Sequence, residues 1–248
     1  MESPVSFKGS RGSLHGTLFV PERFSHAVIL LHGFAGNRFS SRKRVWMESL
    51  EKSGLLVLAF DFFGHGESDG DPREISTSQE LSDLDAAIRF LRTHYSFKKL
   101  FLIGHSMGGV VALLRAAYQN DVDALILVAT PLHFSRYPDA FYSKKEVDAW
   151  PATGILRIRG LGSEFDLNYS FKEDQCRFDI EKAVRDMTCP ALFIHGKRDA
   201  LVPFSESEHA FQLARDPKQL ALIDNGSHTL ETHAEPALRA IHSFLKTL

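Results

Sequence analysis

A serine set between two glycines, Gly104-His105-Ser106-Met107-Gly108, lies between the apolar run Leu100 to Ile103 and a second apolar stretch that ends at Leu114. A buried strand, a sharp turn and a helix in that order give the G-x-S-x-G pattern its chemical meaning. Small flanking residues let the serine occupy a strained backbone position and project its hydroxyl above a sheet. A helix amino terminus directly beneath, expected from near Gly109, favours developing negative charge. In that setting Ser106 reads as a nucleophile rather than as a small residue tolerated in a turn.

A serine hydroxyl needs a base to take its proton, and the base needs an acid to fix its tautomer and orientation. The chain has 12 histidines, so position decides among them. His228 lies in "LALIDNGSHTL", in a loop after the last apolar run, where Asn225 and Gly226 permit a turn that carries an imidazole back over the serine. His209 and His242 fall in helix-like segments, and His233 lies farther along the same loop. Asp199, in "PALFIHGKRDALVP", stands just beyond the penultimate strand and completes the chain order Ser, Asp, His. Asp186 and Asp224 lie before that strand and at the end of the next. The oxyanion would be held by the Met107 N–H, next to the nucleophile, and by an N–H in His32-Gly33-Phe34-Ala35-Gly36, where Phe34 is the candidate.

Such residues converge only if their strands end on one edge. Apolar runs recur at Leu14 to Val20, Ala27 to Leu31, Leu55 to Phe60, Leu100 to Ile103, Ala124 to Ala129, Ala191 to Ile194 and Leu220 to Ile223. Most are continuously apolar, as strands buried on both faces are. Helical periodicity separates them, clearest in "TSQELSDLDAAIRFLRTH", where Thr77 and Glu80 predict a capping box. The alternation predicts an α/β fold with a mostly parallel sheet covered by helices on both faces. The Leu14 to Val20 run precedes any helix and reads as one arm of an antiparallel edge hairpin.

The alternation fails between Pro131 and about Thr188. There "ILRIRG" has the period of a short strand and "NYSFKEDQCRFDIEKAVRDM" looks helical. We divide the chain into a core, 1–130 and 189–248, and a lid or cap insertion, 131–188, over the ligand crevice. Phe134, Tyr137, Phe141, Tyr142, Trp150, Phe165 and Tyr169 could line an acyl pocket or dock the lid; Tyr142, Trp150 and Tyr169 are the substrate-binding candidates.

A length of 248 residues suits this organisation, and a formal net charge of -2 gives no general attraction for nucleic acid or anionic membrane. The expected partner is a small molecule. No stretch reads as a membrane span or secretory leader, so a cytoplasmic location is expected, with the oligomeric state open. Two cysteines, Cys176 and Cys189, are too few for a zinc site or disulfide framework. Gly64-His65-Gly66 departs from a dinucleotide loop at Asp69, and His32, His65 and His105 lack tight ligand spacing, so neither cofactor nor metal is expected. The run "NRFSSRKR" reads as a solvated helix face, with anion binding near the site entrance as the alternative.

In matching order across nearly the whole chain, "HGFAG", "DFFGHGESDG", "GHSMGG", "HGKRDALVP" and "GSHTL" resemble the motifs of the α/β-hydrolase superfamily. The resemblance implies Ser106 as nucleophile, Asp199 as acid, His228 as base and the Phe34 and Met107 amides as oxyanion donors. It also implies an eight-stranded sheet with a lid after the sixth strand. "GHGESDG" and "GHSMGG" are similar to segments of monoacylglycerol lipases, while length and the mixed insertion resemble small bacterial cinnamoyl and feruloyl esterases. The implied activity is carboxylic-ester hydrolysis through an acyl-enzyme. The alternatives are a monoacylglycerol lipase or lysophospholipase-like hydrolase, an acyl-peptide or amide hydrolase, and a catalytically silent ligand-binding protein.

Overall fold

The computed structural model describes residues 1–133, 142–160 and 163–248. In chain order the elements are β1 (Glu2–Lys8), β2 (Ser13–Phe19), β3 (His26–Leu31), α1 (Ser41–Lys52), β4 (Leu55–Phe60), α2 (Thr77–His94), β5 (Lys99–His105), α3 (Met107–Gln119) and β6 (Ala124–Val128). The stretch between β6 and the next core strand carries α4 (Lys144–Thr153), the antiparallel pair β7 (Ile155–Gly160) and β8 (Ser163–Asn168), α5 (Ser170–Gln175) and α6 (Ile180–Asp186). Then come β9 (Ala191–Gly196), α7 (Ser205–Leu213), β10 (Lys218–Ile223) and α8 (Ala234–Leu245).

Eight strands form one sheet in the order β1-β2-β4-β3-β5-β6-β9-β10. The β1–β2 and β2–β4 pairs are antiparallel and the rest are parallel. β2 is thus one arm of an antiparallel hairpin, as its position before any helix suggests, and β1, which no apolar run marks, is the true edge.

The continuous apolar runs feed two cores by strict alternation. Ala27, Ile29, Leu56, Leu58, Leu100, Leu102, Leu125, Leu127 and Phe193 face one layer with residues of α2, α3 and α6. Val28, Leu30, Val57, Phe101, Ile103, Ile126, Val128, Leu192 and Ile194 face the other, against Trp46 and Leu50 of α1 and Ile241 and Phe244 of α8. A strand between two helical layers has no solvent face, so it shows no polar alternation. α6, on the same side as α3, buries Ile180, Ala183 and Val184. The helix-like "NYSFKEDQCRFDIEKAVRDM" resolves into α5 and α6, the second capped by the Asp179 side chain.

The capping box expected at Thr77 and Glu80 does not form, and the cap falls one residue earlier. Ser76 is the N-cap and accepts the Gln79 N–H at 3.1 Å. Thr77 and Glu80 instead turn inward, with Leu84, Ala87, Ile88 and Leu91 on the buried stripe of α2. The physical reason is register: the apolar stripe must face the sheet, and it carries both residues with it.

The loop after β4 hangs on a buried acid. Asp61 accepts the Arg38 N–H at 2.6 Å and the Glu67 N–H at 3.0 Å, and it forms a buried ion pair with the Arg38 guanidinium. Gly66, at φ +54°, passes so close that a Cβ there would lie 2.2 Å from Asp61 Oδ2. Gly66 of "GHGES" therefore serves a turn packed on a carboxylate.

Candidate active site

β5 delivers the serine to the sheet's carboxyl edge. Ser106 has φ 53° and ψ -121°, a region that L residues occupy only when their surroundings enforce it. Its N–H donates to the Val128 carbonyl at 2.8 Å, and its carbonyl accepts the Gly109 N–H at 2.9 Å as α3 begins. A Cβ on Gly104 would lie 2.4 Å from the Gly108 carbonyl oxygen, and one on Gly108 would lie 2.4 Å from that of His32. Both glycines are thus required for α3 to start directly under the turn. The helix begins at Met107, earlier than the apolar run indicates, which puts Met107 at its first N–H.

The neighbouring loop closes on itself, Gly36 N–H to Gly33 carbonyl at 3.0 Å, with Ala35 at φ 53°. His32 is used twice: its Nδ1 bonds the Gly33 carbonyl at 2.9 Å and its Nε2 accepts the Phe62 N–H at 3.1 Å. Burial, then the adjoining His65 ring, pushes its pKa well below the usual imidazole range. This neutral ring is a structural strut between two loops. The Phe34 and Met107 N–H groups have no hydrogen-bond acceptor among the described residues. Two unengaged amides flanking a serine suit a developing oxyanion.

The acid and base loops are stitched together at the far side. Lys197 N–H donates to the Ile223 carbonyl at 3.0 Å and Arg198 N–H to the Gly226 carbonyl at 2.9 Å. Asn225, at φ 58°, turns the chain as expected. His228 Nδ1 bonds Asp199 Oδ2 at 2.7 Å. A carboxylate only accepts, so Nδ1 carries the proton and Nε2 keeps its lone pair. His105 Nε2 donates to the His228 carbonyl at 2.9 Å, and the two rings lie 4.8 Å apart. His228 is thereby anchored to the residue that precedes Ser106. Ser106 Oγ has no hydrogen-bond partner among the described residues.

Asp199 is saturated with donors. Its Oδ1 accepts the Leu201 and Val202 N–H groups at 2.8 and 2.9 Å. Its Oδ2 accepts from His228 and also from His195 Nε2 at 3.0 Å. Burial pushes the carboxyl up, but the hydrogen bonds from His195 and His228 outweigh it and hold the group well below the usual carboxylate range. His195 is buried; its Nε2–H also reaches the Val202 carbonyl at 2.9 Å, and its Nδ1 faces the Ser207 hydroxyl at 2.7 Å. The sequence reading misses His195 and Ser207, because the bond of His195 to Asp199 and that of Ser207 to His195 depend on the turn between β9 and α7.

Of the insertion aromatics, Trp150 is 1% exposed and donates its indole N–H to the Leu167 carbonyl at 3.1 Å. Tyr169 packs edge-on against it at 5.5 Å, and the Tyr142 hydroxyl accepts the Arg159 N–H. Among the described residues of the insertion, the aromatics that reach the Phe34 loop are Phe165 of β8 and Phe171 of α5, whose rings lie 6.0 and 5.4 Å from that of Phe34. Phe171 carries no motif; its distance from Phe34 along the chain hides it. Phe134, Tyr137 and Phe141 lie outside the described residues. In "NRFSSRKR", Arg38 is committed to Asp61, and Arg44 pairs with Glu2 and Glu48. Among the described residues no group of three or more His, Cys, Asp or Glu is arranged to hold a metal ion, and no helix is long and apolar enough to cross a membrane.

A family model described as the alpha/beta hydrolase fold matches residues 26–157. The Uncharacterized protein YfhR of Salmonella typhimurium is 29% identical over 90% of this chain and 73% of its own length. The Lysophosphatidylserine lipase ABHD12 of Danio rerio is 29% identical over 79% of this chain and 49% of its own length. Among solved structures, Est1E from Butyrivibrio proteoclasticus with ferulic acid bound superposes with a TM-score of 0.89 at 22% identity, covering 98% of each chain. The Pyrococcus furiosus esterase Pf2001 superposes with a TM-score of 0.78 at 22% identity, covering 100% of this chain and 92% of that one. At such identities these two likenesses speak to the fold.

Proposed function

Because the chain belongs to the alpha/beta hydrolase fold family, we propose that it is a serine hydrolase of carboxylic esters, with Ser106, His228 and Asp199 as its triad. The observation that carries this reading is the 2.7 Å bond between His228 Nδ1 and Asp199, which leaves Nε2 free as a base in a loop anchored beside a strained serine. His228 takes the Ser106 proton as Oγ adds to the ester carbonyl. The Phe34 and Met107 N–H groups receive the oxyanion, each contributing roughly 3 kcal/mol. The imidazolium, held against Asp199, protonates the departing alcohol. Water, activated by His228, then cleaves the acyl-enzyme. Every step uses groups of this chain and needs no cofactor.

The segment 131–188 acts as the cap of a core made of 1–130 and 189–248, a role that the contacts of Phe165 and Phe171 with Phe34 support. A fluorophosphonate probe tests the reading: wild type labels covalently, and Ser106→Ala does not. A folded wild type that fails to label is a ligand-binding protein on this fold instead. The likeness to a lysophosphatidylserine lipase favours a second reading, hydrolysis of long-chain monoacyl lipids. Turnover that rises steadily with acyl length beyond the micellar threshold would select it.

His195 acts through Asp199. Its replacement by leucine removes one hydrogen bond to a charged oxygen, worth about 1.5–3 kcal/mol of stability. With one donor fewer, Asp199 stabilises the His228 imidazolium more strongly. The acid limb of the kcat/KM profile therefore moves to higher pH. A profile that keeps its limb would reduce His195 to a packing residue.

A further inference from the structure

Eight buried side-chain polar atoms lack a hydrogen-bond partner among the described residues, and five of them belong to Thr77, Glu80 and Gln175. Both Glu80 oxygens are among the five, in a residue only 1% exposed; Thr77 is 1% exposed and Gln175 4%. Buried polar atoms are nearly always paired, so three unpaired side chains in one place call for a partner. They share one place because the Asp174 carboxylate takes the Ser78 N–H at 2.9 Å and the Ser78 hydroxyl at 2.5 Å, which clamps α5 to the first turn of α2. Thr77 and Glu80 stand where the apolar stripe of α2 would otherwise continue. Gln175 lies one helical turn beyond Phe171, whose ring adjoins Phe34 of the oxyanion loop.

Sheet order says which end of the substrate lies there. The Phe34 loop follows β3 on one side of β5, while Asp199 and His228 follow β9 and β10 on the other. The alcohol that His228 protonates departs on the β10 side, so the acyl group extends past Phe34 toward Phe171. This step rests on the serine-hydrolase reading.

We propose that Thr77, Glu80 and Gln175 form a polar subsite at the far end of the acyl crevice, and that it takes an acyl group ending in a neutral hydroxyl. Glu80 is suited to a neutral partner: it is buried with neither oxygen paired, and burial, followed by repulsion from Asp83 and Asp174, pushes its pKa well above the usual range and favours the uncharged acid. Acid, amide and hydroxyl together offer donors and acceptors to one hydroxyl and no charge to an ionic group.

The test reads binding without turnover. Ser106→Ala protein is titrated calorimetrically with methyl ω-hydroxyalkanoates from butanoate to decanoate, each against its matched alkanoate. The hydroxy ester of fitting length binds at least tenfold more tightly than its partner. Adding Glu80→Leu or Gln175→Leu brings that ratio to near one, while the isosteric Glu80→Gln keeps most of it. Equal affinities at every length, or a ratio that survives both leucine substitutions, overturns the subsite and leaves these atoms to internal water alone. Neither result alters probe labelling of wild type, which reports on the triad.

Discussion

Ser106→Ala folds as wild type does and hydrolyses p-nitrophenyl esters of short acids roughly 10⁶ times more slowly in kcat. The fold survives because the turn is held by its backbone: the Ser106 N–H to Val128, its carbonyl to Gly109, and the close approach of Gly108 to His32. None of these involves the hydroxyl, and alanine meets the same φ of 53° with a side chain no larger than serine's. The rate falls so far because base and acid have nothing to activate once Oγ is gone. Residual turnover above water reflects the Phe34 and Met107 amides, which remain in place. Burst kinetics with p-nitrophenyl acetate add a second readout: wild type releases one equivalent of p-nitrophenol per active site before steady turnover, and the variant shows no burst. A variant that retained the burst would place the acyl group on another residue.

The placing of Ser106, Asp199, His228 and Phe34 in loops at one edge of the sheet was legible in the sequence because each residue sits just past the end of a strand. Strand ends are marked locally by an apolar run giving way to glycine or a polar residue. The alternating burial of Val28 and Ile29, or of Phe101 and Leu102, explains why those runs stand out: both faces are covered, so no polar residue interrupts them. β1 escaped notice for the converse reason. As an edge strand it is mostly exposed, and "ESPVSFK" carries no apolar run.

What was hidden depends on pairing over distance or on register. Ser76 and Thr77 offer equivalent caps, and Gln79 and Glu80 equivalent third positions. Only the phase of Leu84, Ile88 and Leu91 decides between them, and it puts Glu80 in the core. The same phase error concealed the one buried acid, among the described residues, whose two oxygens lack partners. His195 looks like an ordinary strand-end residue until the β9–α7 turn brings Asp199, Val202 and Ser207 around its ring. Trp150 reads as pocket lining, and its place beneath Leu167 and beside Tyr169 emerges only when β8 folds back on β7.

Asp199→Asn lowers kcat/KM by about 10⁴ at neutral pH, by changing which nitrogen of His228 holds the proton. Its Oδ1 faces two backbone N–H groups, of Leu201 and Val202, which can only donate; its Oδ2 faces the two imidazoles. The amide of asparagine therefore turns its oxygen to the backbone and its NH₂ to the rings. His195 keeps the Val202 carbonyl as acceptor for its Nε2–H. His228 has no such alternative, so it moves its proton to Nε2 and accepts at Nδ1, which removes the lone pair that Ser106 needs. Nitrogen-15 chemical shifts of His228 report the exchange directly, and an Nδ1–H tautomer persisting in the variant would sink this account. Stability follows with a definite sign. The Asp199 carboxyl is held below its usual range, so its contribution is present above the unfolded value of about 3.9 and is lost as pH falls through the folded value. Urea unfolding thus finds wild type more stable than Asp199→Asn at pH 7, with the gap narrowing once the pH drops below about 4. Glu80 works in the opposite sense, since a buried acid with a raised value weakens the fold as pH rises and it ionises. Asp199→Asn leaves that alkaline slope in place, so the wild-type and variant profiles run parallel above about pH 4 and converge only on the acid side.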